Sequence, residues 1–451
     1  MKSIESLSFR LFLLIISFNG YAQINIDYPL ERSVVQRDNE NNATVYINGN
    51  YTKLVDQVEA RLVPINGGKD TGWQMIQIHP TGGFFSGKLV ASGGWYRLEV
   101  RGIKDGNEIG SARVERVGIG EVFIIAGQSN AQGFHNFGAA GASDDRVNCV
   151  NTNNNTAFTK NGLDYPSFSH LDANSNIAPR GQSSWAWGKL GDQLTARLGV
   201  PILFFNVAFE GTLVGSWRQS ITSTAYSPYV PLPYEPSGMP FVNLRWVMQY
   251  YVPMTGLRAV LWEQGEADNL FANNPSFSIG TATYADDLKS IIDANRNESG
   301  KNVSWMVALT SYDNTRGVNN SIREGQKQVI KNTSNVFEGP DTDVIQIPRN
   351  NTLNAGDGVH FYGSGLSQLA NAWFNKLDDA FFGNSLPQTA QGVLRVDVAC
   401  TGNNAVRLAM DVIGHNSFSW SNGQGGDNIT VGNGSYRASA RDEHGNLLFS
   451  P

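Results

Sequence analysis

Two kinds of hydrophobic patterning divide this chain. Between about residues 24 and 117 the segments ATVYING, VEARLVPI, GWQMIQIHP, GKLVASGG, WYRLEVRG and SARVERVG alternate apolar with polar positions, separated by Asn-Gly, Gly-Gly and Asp-Gly pairs. A period of two puts successive side chains on opposite faces of a strand, and evenly spaced turns predict a β-sandwich module. Between about residues 118 and 382 the continuous apolar runs EVFIIAG, PILFFNVAF, LRAVLWEQG and VSWMVALTS predict buried strands. Among them lie SSWAWGKLGDQLTARLG, NLRWVMQYYVPMTG, TYADDLKSIIDANRN and IREGQKQVIKN, read as helices; in the third, Tyr284, Leu288, Ile291 and Ile292 recur at helical spacing. SGLSQLANAWFNKLDDAFF predicts a terminal helix. Strand and helix in alternation predict an α/β domain with a mostly parallel sheet, helices on both faces, and ligands gathered at the carboxyl ends of the strands. After the joint NSLPQTAQG, short strand-like runs with Asn-Gly and Gly-Asn turns predict a smaller β module, read as a passive accessory domain in preference to one for sugar binding or cell-surface display.

The N-terminal stretch adds a destination. Lys2 and Arg10 lead into an apolar run at 11–18, followed by Gly20 and Ala22. Eight apolar residues are too few to span a bilayer but suit a secretory leader cleaved after Ala22, so the mature protein is expected to be secreted or periplasmic. The expected division is 1–22 leader, 23–117 β-sandwich module, 118–382 α/β domain and 383–451 small β module.

Charge narrows the partners. There are 34 basic and 40 acidic residues, a net charge of −6, and no basic stripe, which excludes a nucleic-acid partner. No later segment is long and apolar enough to predict membrane insertion. Cys149 and Cys400 form neither a disulfide framework nor a CxxC metal site; one cross-domain disulfide is the only pairing they permit. The stretch GGFFSGK at 82–88 has phosphate-loop spacing, but Leu89 follows where a hydroxyl is required and strand-like runs flank it, so it reads as a hairpin turn.

The chemistry lies at four strand ends. The run 122–126 ends in Gly127-Gln128-Ser129-Asn130, which places a Ser hydroxyl at the mouth of the sheet, the position a nucleophile needs. No GxSxG elbow occurs. Asp357-Gly358-Val359-His360 can supply a base and the carboxylate that orients it. Leu261-Trp262-Glu263-Gln264-Gly265-Glu266-Ala267-Asp268 offers an un-ionised amide donor in Gln264, and Asn206 to Thr212 offers the Gly211 N–H, both suited to a developing oxyanion.

As a set these blocks resemble the SGNH (GDSL-like) hydrolase superfamily, and more closely its sialate O-acetylesterase and acetyl xylan esterase branch. The resemblance rests on GQSN, Gly211-Thr212 followed by Trp217, WxQGExD and DxxHF, in that order over roughly residues 121–377; YPLERSVVQRD at 28–38 resembles the usual lead-in. It implies a three-layer α/β/α, flavodoxin-like domain with a parallel sheet, flanked by small β-sandwich modules, the C-terminal one immunoglobulin-like. It further implies Ser129 as nucleophile, His360 as general base and Asp357 as its partner. The oxyanion hole would comprise the Ser129 and Gly211 N–H groups and Gln264, which stands where many members carry an Asn. Trp217, Gln128, Asn130 and Glu266 are the implied substrate contacts; Glu266 and Asp268 also read as supports, and Trp185 and Trp187 as core.

The expected reaction is removal of acetyl esters from an acetylated carbohydrate through an acetyl-enzyme, with no cofactor and no metal. An imidazole base implies kcat/KM rising with pH. Two other classes compete: a non-catalytic carbohydrate-binding or adhesion protein, and an SGNH lipase or thioesterase preferring long acyl chains. Selectivity among sialic acid, xylan and pectin would lie in loops 134–179 and 219–240, and the motifs encode no oligomeric state.

Overall fold

The computed structural model describes residues 23–151, 163, 165–274, 276–277, 279–346, 349, 358–402, 404–411 and 414–450. The expected leader and Asp357 lie outside the described residues.

The apolar runs become the central sheet. Its strands stand in the order Phe168–His170, Val147–Val150, Ile202–Asn206, Asn107–Gly127, Ala259–Glu263, Ser304–Leu309 and Val336–Asp341. Every neighbouring pair is parallel except the first, where Phe168–His170 runs antiparallel to Val147–Val150, so the sheet is mixed at one edge. From Asn107–Gly127 the chain builds first to one side and then to the other, which makes the carboxyl end of that strand a topological switch point.

Alternation within the central strand creates three layers. Val122, Ile124 and Ala126 face one way, sharing a core with Leu203, Phe205, Val260, Trp262 and the helix Thr281–Ser299. Phe123 and Ile125 face the other, sharing a core with Phe204, Leu261 and the helices Trp187–Leu198 and Ser364–Lys376. Burying each such side chain is worth roughly 1.5–3 kcal/mol. The expected terminal helix is two: after Ser364–Lys376 the chain restarts at Asp379–Asn384, where the Asp378 side chain accepts the Phe381 N–H.

The strand Asn107–Gly127 is 21 residues long, a reach of about 70 Å at the usual rise per residue. Its first half pairs antiparallel with Gly94–Lys104 in the N-terminal module, and its second half is the centre of the α/β sheet. The expected boundary at 117/118 therefore falls inside one continuous strand of an 11-stranded sheet. A three-stranded sheet of Ile24–Tyr28, Asn42–Tyr51 and Phe84–Ser92 covers the N-terminal module's core. The GGFFSGK stretch opens with Gly82 and Gly83 at positive φ and runs straight into Phe84–Ser92. The C-terminal module consists of two three-stranded antiparallel sheets. Cys149 is buried, Cys400 is exposed, and both are free thiols. Among the described residues no helix is long and apolar enough to cross a membrane.

The lead-in at 28–38 docks against the lower end of the central strand. Val34–Gln36 pairs in parallel with Gly118 to Gly120. Just beyond, the fully buried Glu121 carboxylate accepts Arg258 Nε at 2.7 Å, Arg37 Nε at 2.8 Å and Gln36 Nε2 at 2.8 Å, while Arg258 Nη1 reaches Asn39 at 2.6 Å. Removing one partner of a buried ion pair strands the other, at a cost of about 3–5 kcal/mol. Because Arg37 and Gln36 still hold Glu121, Arg258→Ala is expected to lower unfolding free energy by about 3 kcal/mol, the lower end of that range, in a denaturant titration. A loss below about 1 kcal/mol would show that this cluster does not fasten the modules.

Candidate active site

The geometry of the site begins at Gly127. It has φ 128°, and a Cβ there would lie 1.9 Å from the carbonyl oxygen of Glu263 on the neighbouring strand, so only glycine lets the two backbones run this close. The Gln128 N–H still donates to Glu263 O at 3.0 Å. The chain then leaves the sheet in a single helical turn, Ser129–Gln132, which sets Ser129 at the carboxyl end of the central strand.

His360 Nε2 stands 2.7 Å from Ser129 Oγ. The two line a cavity of about 510 Å³ together with Gln128, Phe134, Glu210, Gly211, Tyr229, Glu266, Asp313 and their neighbours. Phe134 meets the imidazole edge-on at 4.8 Å.

Gly211 lies across the cavity at φ 67°. Among the described residues neither the Ser129 N–H nor the Gly211 N–H has an acceptor within the chain. The Gly211 turn is held from several sides. Gln132 Oε1 accepts the Glu210 N–H at 2.7 Å, Thr212 Oγ1 donates to Phe209 O at 2.7 Å, and Trp217 Nε1 donates to Thr212 Oγ1 at 3.0 Å.

Three implied roles do not fit this arrangement. Trp217 is fully buried, edge-on to Trp262 at 5.2 Å, and braces the Gly211-Thr212 turn from beneath; it offers no face to a sugar. Gln264 is also fully buried, and its Nε2 donates to Asp268 Oδ2, to Thr212 O at 3.0 Å and to Gln128 Oε1 at 3.2 Å. Its N–H groups are thus directed at protein acceptors rather than at an oxyanion. Asn130 is fully buried as well. Its Nδ2 donates to Val359 O at 3.1 Å and to Glu266 Oε1 at 2.8 Å, while its Oδ1 accepts the Phe361 N–H at 3.2 Å. It grips the backbone on both sides of His360 instead of touching substrate.

Gln128 lines the cavity, but its Oε1 accepts the Gly265 and Ala267 N–H groups, each at 3.2 Å, tying the nucleophile turn to the start of the helix Glu266–Leu270. Glu266 both lines the cavity and anchors Asn130. Trp185 and Trp187 are buried. The cavity residues Phe134, Glu210, Tyr229 and Asp313 were not individually legible; Phe134 and Tyr229 belong to loops already marked for selectivity.

The sequence profile of the family described as carbohydrate esterase, sialic acid-specific acetylesterase, matches residues 119–377, more than half of the chain. The chain belongs to this carbohydrate esterase family. No curated protein matches it. Among solved structures, a carbohydrate acetylesterase from Xanthomonas citri is similar with a TM-score of 0.47 and 16% identity, over 93% of this chain and 95% of that one. A protein from Arabidopsis thaliana gives 0.37 and 16%, over 58% of this chain and 98% of that one. A lipase/acylhydrolase from Enterococcus faecalis gives 0.33 and 13%, over 60% and 100%.

The cavity is backed by buried acids. Asp268, with Oδ2 accepting from Gln264 and from the Val214 N–H at 3.1 Å, is pushed from 3.8 to about 7, chiefly by burial. Burial and the neighbouring Glu266 push Glu263 well above the usual carboxylate range. The sign for stability follows. Between about pH 4 and 7 the native state holds the Asp268 proton and the unfolded chain does not, so unfolding free energy falls as pH rises through that window. Asp268→Asn is expected to flatten the decline measured as Tm between pH 4.5 and 7.5; Glu263 acts in the same direction in both proteins. An unchanged slope would show that Asp268 is not the titrating group.

The Asn130 clamp makes a separate prediction. Asn130→Ala is expected to lower kcat for p-nitrophenyl acetate on the order of a hundredfold, the usual penalty for misplacing a reacting group by about 1 Å, with a much smaller change in KM. A raised KM at constant kcat would instead make Asn130 a substrate contact.

Proposed function

We propose that this carbohydrate esterase is an O-acetylesterase that works through an acyl-enzyme on Ser129. The 2.7 Å contact between His360 Nε2 and Ser129 Oγ at the mouth of an open cavity carries this reading. His360 takes the Ser129 proton as Oγ attacks the acetyl carbonyl. The resulting oxyanion is met by the Ser129 and Gly211 N–H groups, both of which lack acceptors within the described chain. His360 then gives its proton to the departing sugar hydroxyl, and water releases acetate by the same steps in reverse order. Asp357, outside the described residues, is proposed from the sequence pattern as the partner that orients the imidazole. We further propose that the enzyme acts outside the cytoplasm once the leader through Ala22 is removed.

The neutral imidazole that accepts the proton requires kcat/KM to increase with pH and then level off. Ser129→Ala is expected to reduce acetate release from an acetylated glycan and from p-nitrophenyl acetate by at least about a thousandfold. Equal release by wild type and Ser129→Ala would leave a carbohydrate-binding role as the better reading. Faster cleavage of octanoate than of acetate p-nitrophenyl esters would replace the acetylesterase with a lipase or thioesterase. A mature N-terminus at Gln23 in exported protein, read by mass spectrometry, is the expected sign of leader removal.

A further inference from the structure

The family description names sialic acid, a sugar with a carboxylate. The cavity is chemically unsuited to that charge. Its described lining contains three carboxylates, Glu210, Glu266 and Asp313, and no lysine or arginine. Two guanidiniums that touch lining residues are committed to protein partners, and Arg316, next along the chain from Thr315, is exposed but outside the lining. Arg180 pairs with Glu210 at 3.4 Å and lies over the Phe209 ring at 3.9 Å. Arg349 is fully buried, donates to Thr342 O at 2.6 Å, Ile345 O at 2.7 Å and Val359 O at 3.4 Å, and stacks on Phe361 at 4.1 Å. Beyond residue 22, Lys160 is the one lysine or arginine outside the described residues. A site for a carboxylated sugar ordinarily supplies a charge-assisted donor, most often a forked arginine, whereas like charges facing one another select against a ligand.

The same lining suits an uncharged sugar. Carboxylate oxygens at Glu210 and Asp313 can accept from sugar hydroxyls. The apolar face of a pyranose needs an aromatic surface, and with Trp217 buried, Tyr229 supplies it. Tyr229 is 52% exposed, lines the cavity, and is held edge-on by Phe271 at 4.9 Å. Its ring sits so close to the oxyanion turn that a Cβ on Gly211 would lie 3.2 Å from Cε2. Burial and the carboxylates of Asp313, Glu266 and Asp268 push its hydroxyl up to about 12, keeping it a neutral donor. A stacked ring there would bring a sugar's acetyl group to the nucleophile and its oxyanion donors.

We propose that the cavity takes an O-acetylated neutral sugar, stacked on Tyr229 beside Gly211, and discriminates against sugars that carry a carboxylate. This rests on the esterase reading above. The test compares kcat/KM for an acetylated glucoside, the glucuronoside acetylated at the same position and that glucuronoside's methyl ester, together with an O-acetyl sialoside and its methyl ester; p-nitrophenyl acetate serves as the activity control. The expected result is a preference of about tenfold or more for the glucoside and for each methyl ester over its acid at low ionic strength, narrowing in 0.5 M salt. Tyr229→Ala is expected to raise KM for the glucoside about tenfold, with Tyr229→Phe restoring it. Equal or better cleavage of the free acids, with p-nitrophenyl acetate still hydrolysed, overturns the neutral-sugar assignment and leaves the esterase reading intact. An unchanged KM in Tyr229→Ala overturns the stacking role. Failure to cleave any ester, p-nitrophenyl acetate included, overturns both readings.

Discussion

The proposed chemistry depends on holding a hydroxyl and an imidazole, 231 positions apart in sequence, within 2.7 Å of each other. No local element can do this, since one group ends a strand and the other precedes a helix. Asn130 supplies the constraint. One residue after the nucleophile, it accepts from the amide following His360 and donates to the carbonyl preceding it. Any shift of the histidine loop must break at least one of these buried bonds, and leaving a buried polar group unpaired costs about 1–3 kcal/mol. Glu266 then fixes the other N–H of the same amide, so the segment containing residues 263–268 joins the nucleophile turn and the histidine loop in one unit.

That unit is precise only because the strand beneath it is. Asn107–Gly127 pairs with parallel neighbours on both sides, and its last residue passes Glu263 too closely for any side chain. The same strand continues down into the N-terminal module and passes Glu121, where Arg37 and Arg258 converge from opposite sides. The module at 23–117 is therefore structurally continuous with the catalytic sheet. Its lead-in and the two arginines seat the strand whose upper end carries Ser129.

Much of this was legible in the sequence. Continuous apolar runs marked the strands at 121–127, 202–206, 259–263 and 304–309, because a strand covered by helices on both faces has no polar side to show. Three others escaped. Val336–Asp341 contains Gly339 and Pro340, which disfavour a strand, yet tertiary pairing with Ser304–Leu309 extends it. Val147–Val150 and Phe168–His170 are too short for a pattern, and Asn148 interrupts the first; its side chain is satisfied by Arg146 O at 2.7 Å and by Arg32. In the site, residue type and strand-end position singled out Ser129, His360 and Gly211. They could not tell which way a side chain points. Trp217 follows the Gly211 turn in sequence and Gln264 follows the next strand, Ala259–Glu263, but one braces that turn from within the core and the other is turned toward Asp268. Tyr229, which faces the cavity, comes from a loop without periodicity to reveal it.

The placement of charge explains why both arrangements belong to one site. An acyl-transfer site must stabilise a developing negative charge, yet this cavity is ringed by Glu210, Glu266 and Asp313. Two further acids lie close by, Glu263 beside Gly127 and Asp268 behind Gln264. Burial pushes both of these upward, Asp268 to about 7, which disfavours their charged forms beneath the Gly211 turn. Gln264 then reads as insulation, an un-ionised amide between Asp268 and the Thr212 carbonyl. In the proposed mechanism, stabilisation of the oxyanion would fall to fixed backbone N–H dipoles, which carry no counter-charge to attract a carboxylated ligand. Glu210, half-buried in the cavity wall, can still accept from hydroxyls. On the proposed reading, a site assembled in this way would combine acyl transfer with preference for a polar, uncharged substrate through one distribution of charge.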